Sequence, residues 1–200
     1  AIEYPYSQVE FKDSPLQVAE RAISAGDDEN RGSVFATHRF NDANDKVWRW
    51  TTNYLPGSND APEDVGIWWG GSGGDTGTAL HAANTLYVTC TTDENGRIAE
   101  EFKNAAGQAL LKRVFLGTDA QGNPTNTDPV DTYYIYDDQG RLRLILPPEG
   151  VKYLEASNGN PDTSTGIWEA QHYTTRYWYD YAGREIMKKI PEEHAVTTVY

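Results

Sequence analysis

A chain of 200 residues is long enough for a real core, although 38% hydrophobic content and a mean hydropathy of −0.69 are low for one. The 13 Tyr, 6 Trp and 5 Phe exclude a disordered polar chain, and they point to a core built largely from rings with a polar tip. With 30 acidic and 17 basic residues the net charge is −13, a surface that repels phosphate backbones and anionic headgroups and speaks against nucleic acid as a partner.

Cys90 is the single cysteine, so neither an internal disulfide nor a Cys-based zinc site can form. No run approaches the roughly 18 apolar residues of a membrane helix, so no membrane insertion is expected. No signal peptide is apparent, and the start at Ala-Ile-Glu reads as an excision from a longer polypeptide.

In chain order, residues 1–12 look extended, with Ile2, Tyr4 and Tyr6 alternating. Ser14, Pro15 and Gln17 then form a Ser-x-x-Gln capping box with proline at the first helical position. Leu16, Ala19, Ala22 and Ile23 follow at helical spacing and Gly26 stops them, which predicts one short N-terminal helix at about 15–25. After a polar loop at 26–33, VFATHRF and VWRW flank residues 41–45, a predicted hairpin. Residues 53–85 are a Gly/Pro-rich excursion with a short helical turn expected near 78–84. From Leu86 strands and turns alternate. Leu86, Val88 and Cys90 share one face, and turns fall at 93–96 and 104–107, eleven residues apart. A polar loop (GTDAQGNPTNTDP) precedes a further strand at Thr132.

An internal repeat decides the reading. Tyr134-x-Tyr136-Asp137-x-x-Gly140-Arg141 and Tyr177-x-Tyr179-Asp180-x-x-Gly183-Arg184 each run on through alternating apolar residues to a proline. Asp93, Gly96 and Arg97 make a weaker copy, residues 104–107 a weaker one still, and 41–44 a trace. The motif is hairpin chemistry. Asp binds backbone amides two or three residues on, and Gly supplies the positive φ of the reversal. Tyrosines two apart share a strand face, where they are expected to pack on Leu142, Leu144 and Leu146 or their equivalents. Arg reaches an acid or covers a Tyr ring. One such hairpin cannot bury its apolar face alone, whereas stacked copies can.

This pattern resembles the YD repeat of Rhs, teneurin and bacterial toxin-complex proteins, most closely Rhs-like proteins of the Bacteroidetes type. Residues 4–11, 86–147 and 173–200, about half the chain, carry the resemblance. It implies a β-strand spiral that curls into a hollow shell enclosing a C-terminal effector, with carbohydrate binding also credited to such repeats. It further implies an exported parent, extracellular or at the cell surface. The motif residues named above would then be structural. The two strong copies lie 43 residues apart, which leaves room for an insertion at about 148–172 with a possible short helix. The expected organisation is an N-terminal region, 1–85, and a repeat region, 86–200, cut within a repeat near Val199-Tyr200.

Other sites are weaker. Gly70 to Gly74 fits Gly-x-Ser-x-Gly around Ser72, but a glycine-rich loop produces this string by chance and a nucleophile elbow needs a strand before it and a helix after it. His38, His81, His172 and His194 lack metal-ligand spacing. The acids at 27–29 and 137–138 do not follow a calcium loop, and no carboxylate pair for a glycosidase can be picked out. Trp48, Trp50, Trp68, Trp69, Trp168 and Trp178 are expected to fill a β core and line its edge; in the rival reading, a platform for stacking on a glycan, Trp68 and Trp69 are the best candidates. The expectation is an all-β, antiparallel, hairpin-built segment of a curved sheet. It would be non-catalytic and without cofactors, its partners being the adjacent repeats of the same polypeptide and an enclosed effector. The rival readings are a carbohydrate-binding surface module and, more weakly, a hydrolase at Ser72.

Overall fold

The computed structural model describes residues 5–13, 18–26, 33–55, 64–69, 80–156, 173–191 and 196–197. It is mostly antiparallel β-structure. In chain order the elements are β1 (Gln8–Phe11), β2 (Ala19–Ile23), β3 (Ser33–Phe40), β4 (Trp50–Leu55), β5 (Asp64–Trp69), β6 (Tyr87–Thr92), β7 (Ile98–Lys103), β8 (Ala109–Phe115), β9 (Pro129–Tyr136), β10 (Leu142–Leu146), α1 (Pro148–Ala156), β11 (Thr175–Tyr179), β12 (Glu185–Lys189) and β13 (Val196–Thr197). The chain packs as two compact units that interleave in sequence. One holds Ala1–Asn41 and Asn84–Val130, the other Asp42–Ala83 and Asp131–Tyr200.

In the first unit the strand order is β1-β2-β3-β6-β7-β8. The register sets Arg39, Val88, Phe102 and Leu111 side by side across four strands. Val88, Phe102 and Leu111 are buried there, together with Leu86 two residues along β6 from Val88. The period-two alternation that separates these residues from Tyr87 and Thr89 gives the sheet its apolar face. Arg39 ends the row. Its Nη2 donates to Glu100 Oε1 at 2.8 Å, and its guanidinium lies 5.9 Å from the centre of the Phe102 ring.

Two expectations fail here. The segment predicted as an N-terminal helix at 15–25 is strand β2 from Ala19, residues 14–17 lying outside the described residues. Arg21 and Ile23 are half-buried while Ala19, Glu20 and Ala22 are exposed. Pairing on both sides, Ala22 with Val9 and with Val34, overrides a helical spacing only a few residues long. The Arg21 guanidinium lies over the Phe35 ring at 5.1 Å and donates from Nη2 to Ser33 Oγ, a strand-to-strand contact that no helix would make. The hairpin predicted around 41–45 is also absent, because β3 pairs with β6 instead, Phe40 opposite Tyr87. Asn41 is the cause. Its buried Oδ1 accepts the N–H groups of Thr85 and Leu86 at 2.9 and 2.8 Å, and its own N–H donates to Leu86 O at 3.0 Å. One short side chain thereby clasps the two ends of the 42–83 excursion.

In the second unit the order is β9-β10-β11-β12-β13, with β4-β5 as a separate hairpin. Tyr133, Ile135, Leu144, Leu146, Trp178, Val47 and Val151 are buried. The excursion contributes to this core. Trp48 N–H donates to the Tyr133 hydroxyl at 3.3 Å, and the Trp50 ring meets Tyr133 edge-on with centroids 5.6 Å apart. The turn expected near 78–84 is instead an isolated bridge, Leu80 to Trp48, followed by a turn at 83–84; positions 78 and 79 lie outside the described residues. The helix among the described residues is α1, within the insertion expected at 148–172. Pro148 opens it, where a missing N–H costs nothing, and Glu149 complements its N-terminal dipole.

Candidate functional site: the repeated hairpin turns

Most residues singled out by the repeat belong to one local structure, which occurs five times among the described residues. At 93–97, 104–108, 119–123, 137–141 and 180–184 the first residue donates its N–H to the carbonyl of the fifth and accepts from the N–H of the fourth, always between 2.9 and 3.0 Å. In each turn the Oδ1 of that first Asp or Asn accepts the N–H groups of the third and fifth residues, between 2.8 and 3.1 Å. The fourth residue is Gly96, Gly107, Gly122, Gly140 or Gly183, with φ between 77° and 84°. This is a type I turn closed by a glycine bulge, and it fits the right-handed twist of the strands it joins.

In four of these turns the fifth side chain closes the turn a second time. Arg141 Nε donates to Asp137 Oδ2 at 2.8 Å and Arg184 Nε to Asp180 Oδ2 at 2.7 Å. Asn123 Nδ2 does the same to Asp119 Oδ2 at 2.9 Å, and the Asn104 amide reverses the sense by donating to Gln108 Oε1 at 2.7 Å. Hydrogen bonds from the Arg184 amide and side chain hold the Asp180 carboxyl below the usual range. The Asn123 side chain does the same for Asp119. The turn at 119–123 lies in the stretch read from sequence as a polar loop. Its Asp-x-x-Gly was visible, but neither Arg nor a strand pattern flanks it.

The motif tyrosines were expected to pack on Leu142, Leu144 and Leu146 or their equivalents, and Tyr136 does stand opposite Leu142. The buried side of β9 is held by Tyr133 and Ile135, opposite Leu146 and Leu144 past a register shift, while Tyr134 and Tyr136 are half-buried; in β11 Trp178 is buried between half-buried Tyr177 and Tyr179. The two motif rings of β11 meet cations. Tyr179 lies under both Arg141 and Arg143, at 5.4 and 5.7 Å, and donates its hydroxyl to the Leu142 carbonyl at 2.9 Å. Burial pushes the Tyr179 phenol up, with help from Glu185. Lys188 stands over Tyr177 at 5.4 Å. Arg143 is buried and reaches Asp137 Oδ2 at 3.6 Å. A tyrosine of the later hairpin is therefore seated on the cations of the earlier one, and those cations are anchored by the earlier turn's aspartate.

Elsewhere the picture is simpler. The β4–β5 register sets Trp69 opposite Trp50 and Trp68 opposite Thr51, so the two tryptophans occupy alternate ladder positions. Their side chains, together with Ser72, Trp168, His172 and His194, lie outside the described residues. His38 Nδ1 is 3.3 Å from Thr89 Oγ1, and burial holds the His81 imidazole below its usual value. Among the described residues no three His, Cys, Asp or Glu side chains are grouped to hold a metal ion. Compared with known proteins, the chain matches no family model and no curated protein sequence.

Proposed function

We propose that this chain is a non-catalytic structural segment of a large secreted or cell-surface Rhs/YD-repeat protein, in which successive hairpins add edge to edge to form the wall of a β-shell. The observation that carries the reading is the seat of Tyr179 on Arg141 and Arg143, because it links one hairpin to the next through two motif residues, Tyr179 and Arg141, with Arg143 beside them. Backbone ladders join any two strands; a ring on an aspartate-anchored guanidinium also selects which strand comes next and in which register. The five turns conserve the conformation of the reversal while the strands between them vary, which is the economy expected of an array.

The test is electron microscopy of the longest native polypeptide that contains this chain. The expected result is a continuous wall of hairpins, each added to the edge of the one before, around a cavity that holds the rest of the polypeptide. A chain found as a detached domain, away from any wall, would overturn the reading.

A further inference from the structure

Cys90 is the single cysteine, so no disulfide can tie one part of this chain to another, whereas 13 tyrosines are present. Two of them, Tyr153 on α1 and Tyr173 just before β11, meet within the second unit. Their ring centroids lie 5.3 Å apart with planes 19° from parallel, and their hydroxyl oxygens are 3.4 Å apart. Hydroxyls closer than centroids mean that the rings converge at their phenol ends, which brings together the ortho carbons beside each hydroxyl. The backbone is anchored next to both rings. Val151 is buried and donates its N–H to the Pro147 carbonyl at 3.1 Å, and Thr174 is buried with 3% exposure. Tyr153, two positions past Val151 and about 200° further round the helix, is 39% exposed, and Tyr173 is half-buried. The pair is therefore held together and still reachable from solvent. By contrast, the contacts Phe40–Tyr87 and Trp50–Tyr133 each contain one phenol.

We propose that Tyr153 and Tyr173 are a site of oxidative cross-linking, joined through their ortho carbons as a dityrosine. The oxidant is a haem peroxidase fed with hydrogen peroxide, acting one electron at a time. Each phenol gives up one electron and its hydroxyl proton and becomes a phenoxyl radical, with its unpaired spin spread over the oxygen and the ortho and para carbons. The two radicals combine into one Cε–Cε bond. Each joined Cε then releases its hydrogen as a proton while a proton returns to the oxygen, so both phenols are restored. In sum the pair loses two electrons and two protons, and one hydrogen peroxide takes them up to give two waters. Holding the partners together makes this step intramolecular, which favours it over coupling between molecules. Tyr181 is fully exposed but meets no other ring among the described residues, so a radical there must find a second molecule. The link spans 20 positions and ties α1 to the start of β11, beside the pairing of Ile145 with Thr175. Closing such a loop removes conformations from the opened chain, so the bond holds α1 in place. None of this depends on the repeat reading.

The experiment treats the whole 200-residue chain in dilute solution with a haem peroxidase and limiting hydrogen peroxide. The monomer should gain dityrosine fluorescence. Digestion should release a pair of peptides carrying Tyr153 and Tyr173, joined and lighter by two hydrogens, and the linked fraction should stay the same on dilution. Tyr153→Phe and Tyr173→Phe keep two stacked rings but remove one phenol, so each should lose the linked peptide. Hydrogen exchange at the Val151 amide should be slower in the linked chain than in the unlinked one. Monomer fluorescence that persists in both variants, linked peptides that leave out Tyr153 and Tyr173, or a linked fraction that falls with dilution would overturn the proposal. If a variant loses Val151 protection before oxidation, the masses of the linked peptides and the dilution series on the unsubstituted chain decide alone.

Discussion

Asp137 accepts two backbone N–H groups on Oδ1 and the Arg141 Nε–H on Oδ2, and it lies 3.6 Å from buried Arg143. Asn104 shows that an amide performs the backbone part equally well. Asp137→Asn should therefore keep the turn and lose only the charge pairing, at about 1–3 kcal/mol. Asp137→Ala removes the turn contacts and the carboxylate facing Arg143 together, and should cost about 3–5 kcal/mol. Urea unfolding of the two variants checks the difference. Asp180 gives a pH signature. Its carboxyl is held below the ordinary 3.8, so its contribution is present above 3.8 and is lost as pH falls through the folded value. The Arg184 amide shift should titrate with a midpoint below 3.8, and Arg184→Leu should raise that midpoint only partway, since the backbone hydrogen bond is the leading cause and survives. At this scale the turns were legible in sequence, because every contact that defines them lies within five residues. The buried side of β9 was not legible, because the run Tyr133–Tyr136 is apolar on both faces and only its packing puts Tyr133 and Ile135 in the core.

Hairpins depend on glycine for two different reasons. Gly183 adopts φ 78° with open space where a Cβ would stand, so Gly183→Ala meets only backbone strain, about 1–2 kcal/mol, and Gly183→Asn less. Gly117 has no unusual φ, yet a Cβ there would overlap Thr127 Oγ1 and stand 2.6 Å from Thr125 Oγ1. Gly117→Ala should cost about 3 kcal/mol, at the upper end of overpacking, and should break the 2.6 Å hydrogen bond between the two threonines. Thermal melts that ranked Gly183→Ala as the worse of the two would contradict this account. Only the first kind of glycine is announced by its motif. The second depends on a strand end folding back, Gly117 N–H to Thr127 O at 3.0 Å, which no local pattern reports. The same limit explains β2. Its residues have a fair helical spacing, and only the strands on either side make it extended. The hairpins from Tyr87 to Lys103 and from Pro129 to Leu146 were legible because turn and alternation agree there.

Across the whole molecule, the sequence pattern divides the chain at residue 86, whereas packing gathers 1–41 with 84–130 and 42–83 with 131–200. The pattern records where turns recur. Packing depends on where the excursion after Asn41 lays Val47, Trp48 and Trp50, a matter of long-range contact that composition cannot express. This interleaving places the probes conveniently. All six tryptophans belong to the second unit and the single cysteine to the first. Burial raises the Cys90 thiol, as does Glu100, so at neutral pH it should alkylate slowly until the first unit opens. Each unit has its own buried cluster, Leu86, Val88, Phe102 and Leu111 in one and Tyr133, Ile135, Leu144, Leu146 and Trp178 in the other. Two cores of this kind are expected to unfold in separable steps. Phe102→Ala, at about 3–5 kcal/mol, should bring Cys90 alkylation to lower urea while barely moving the tryptophan emission transition. Leu144→Ala, at about 2–5 kcal/mol, should do the reverse. If either variant moved both transitions equally, the interleaved segments would have made the two cores one cooperative body, and the chain would have to be treated as a single folding unit.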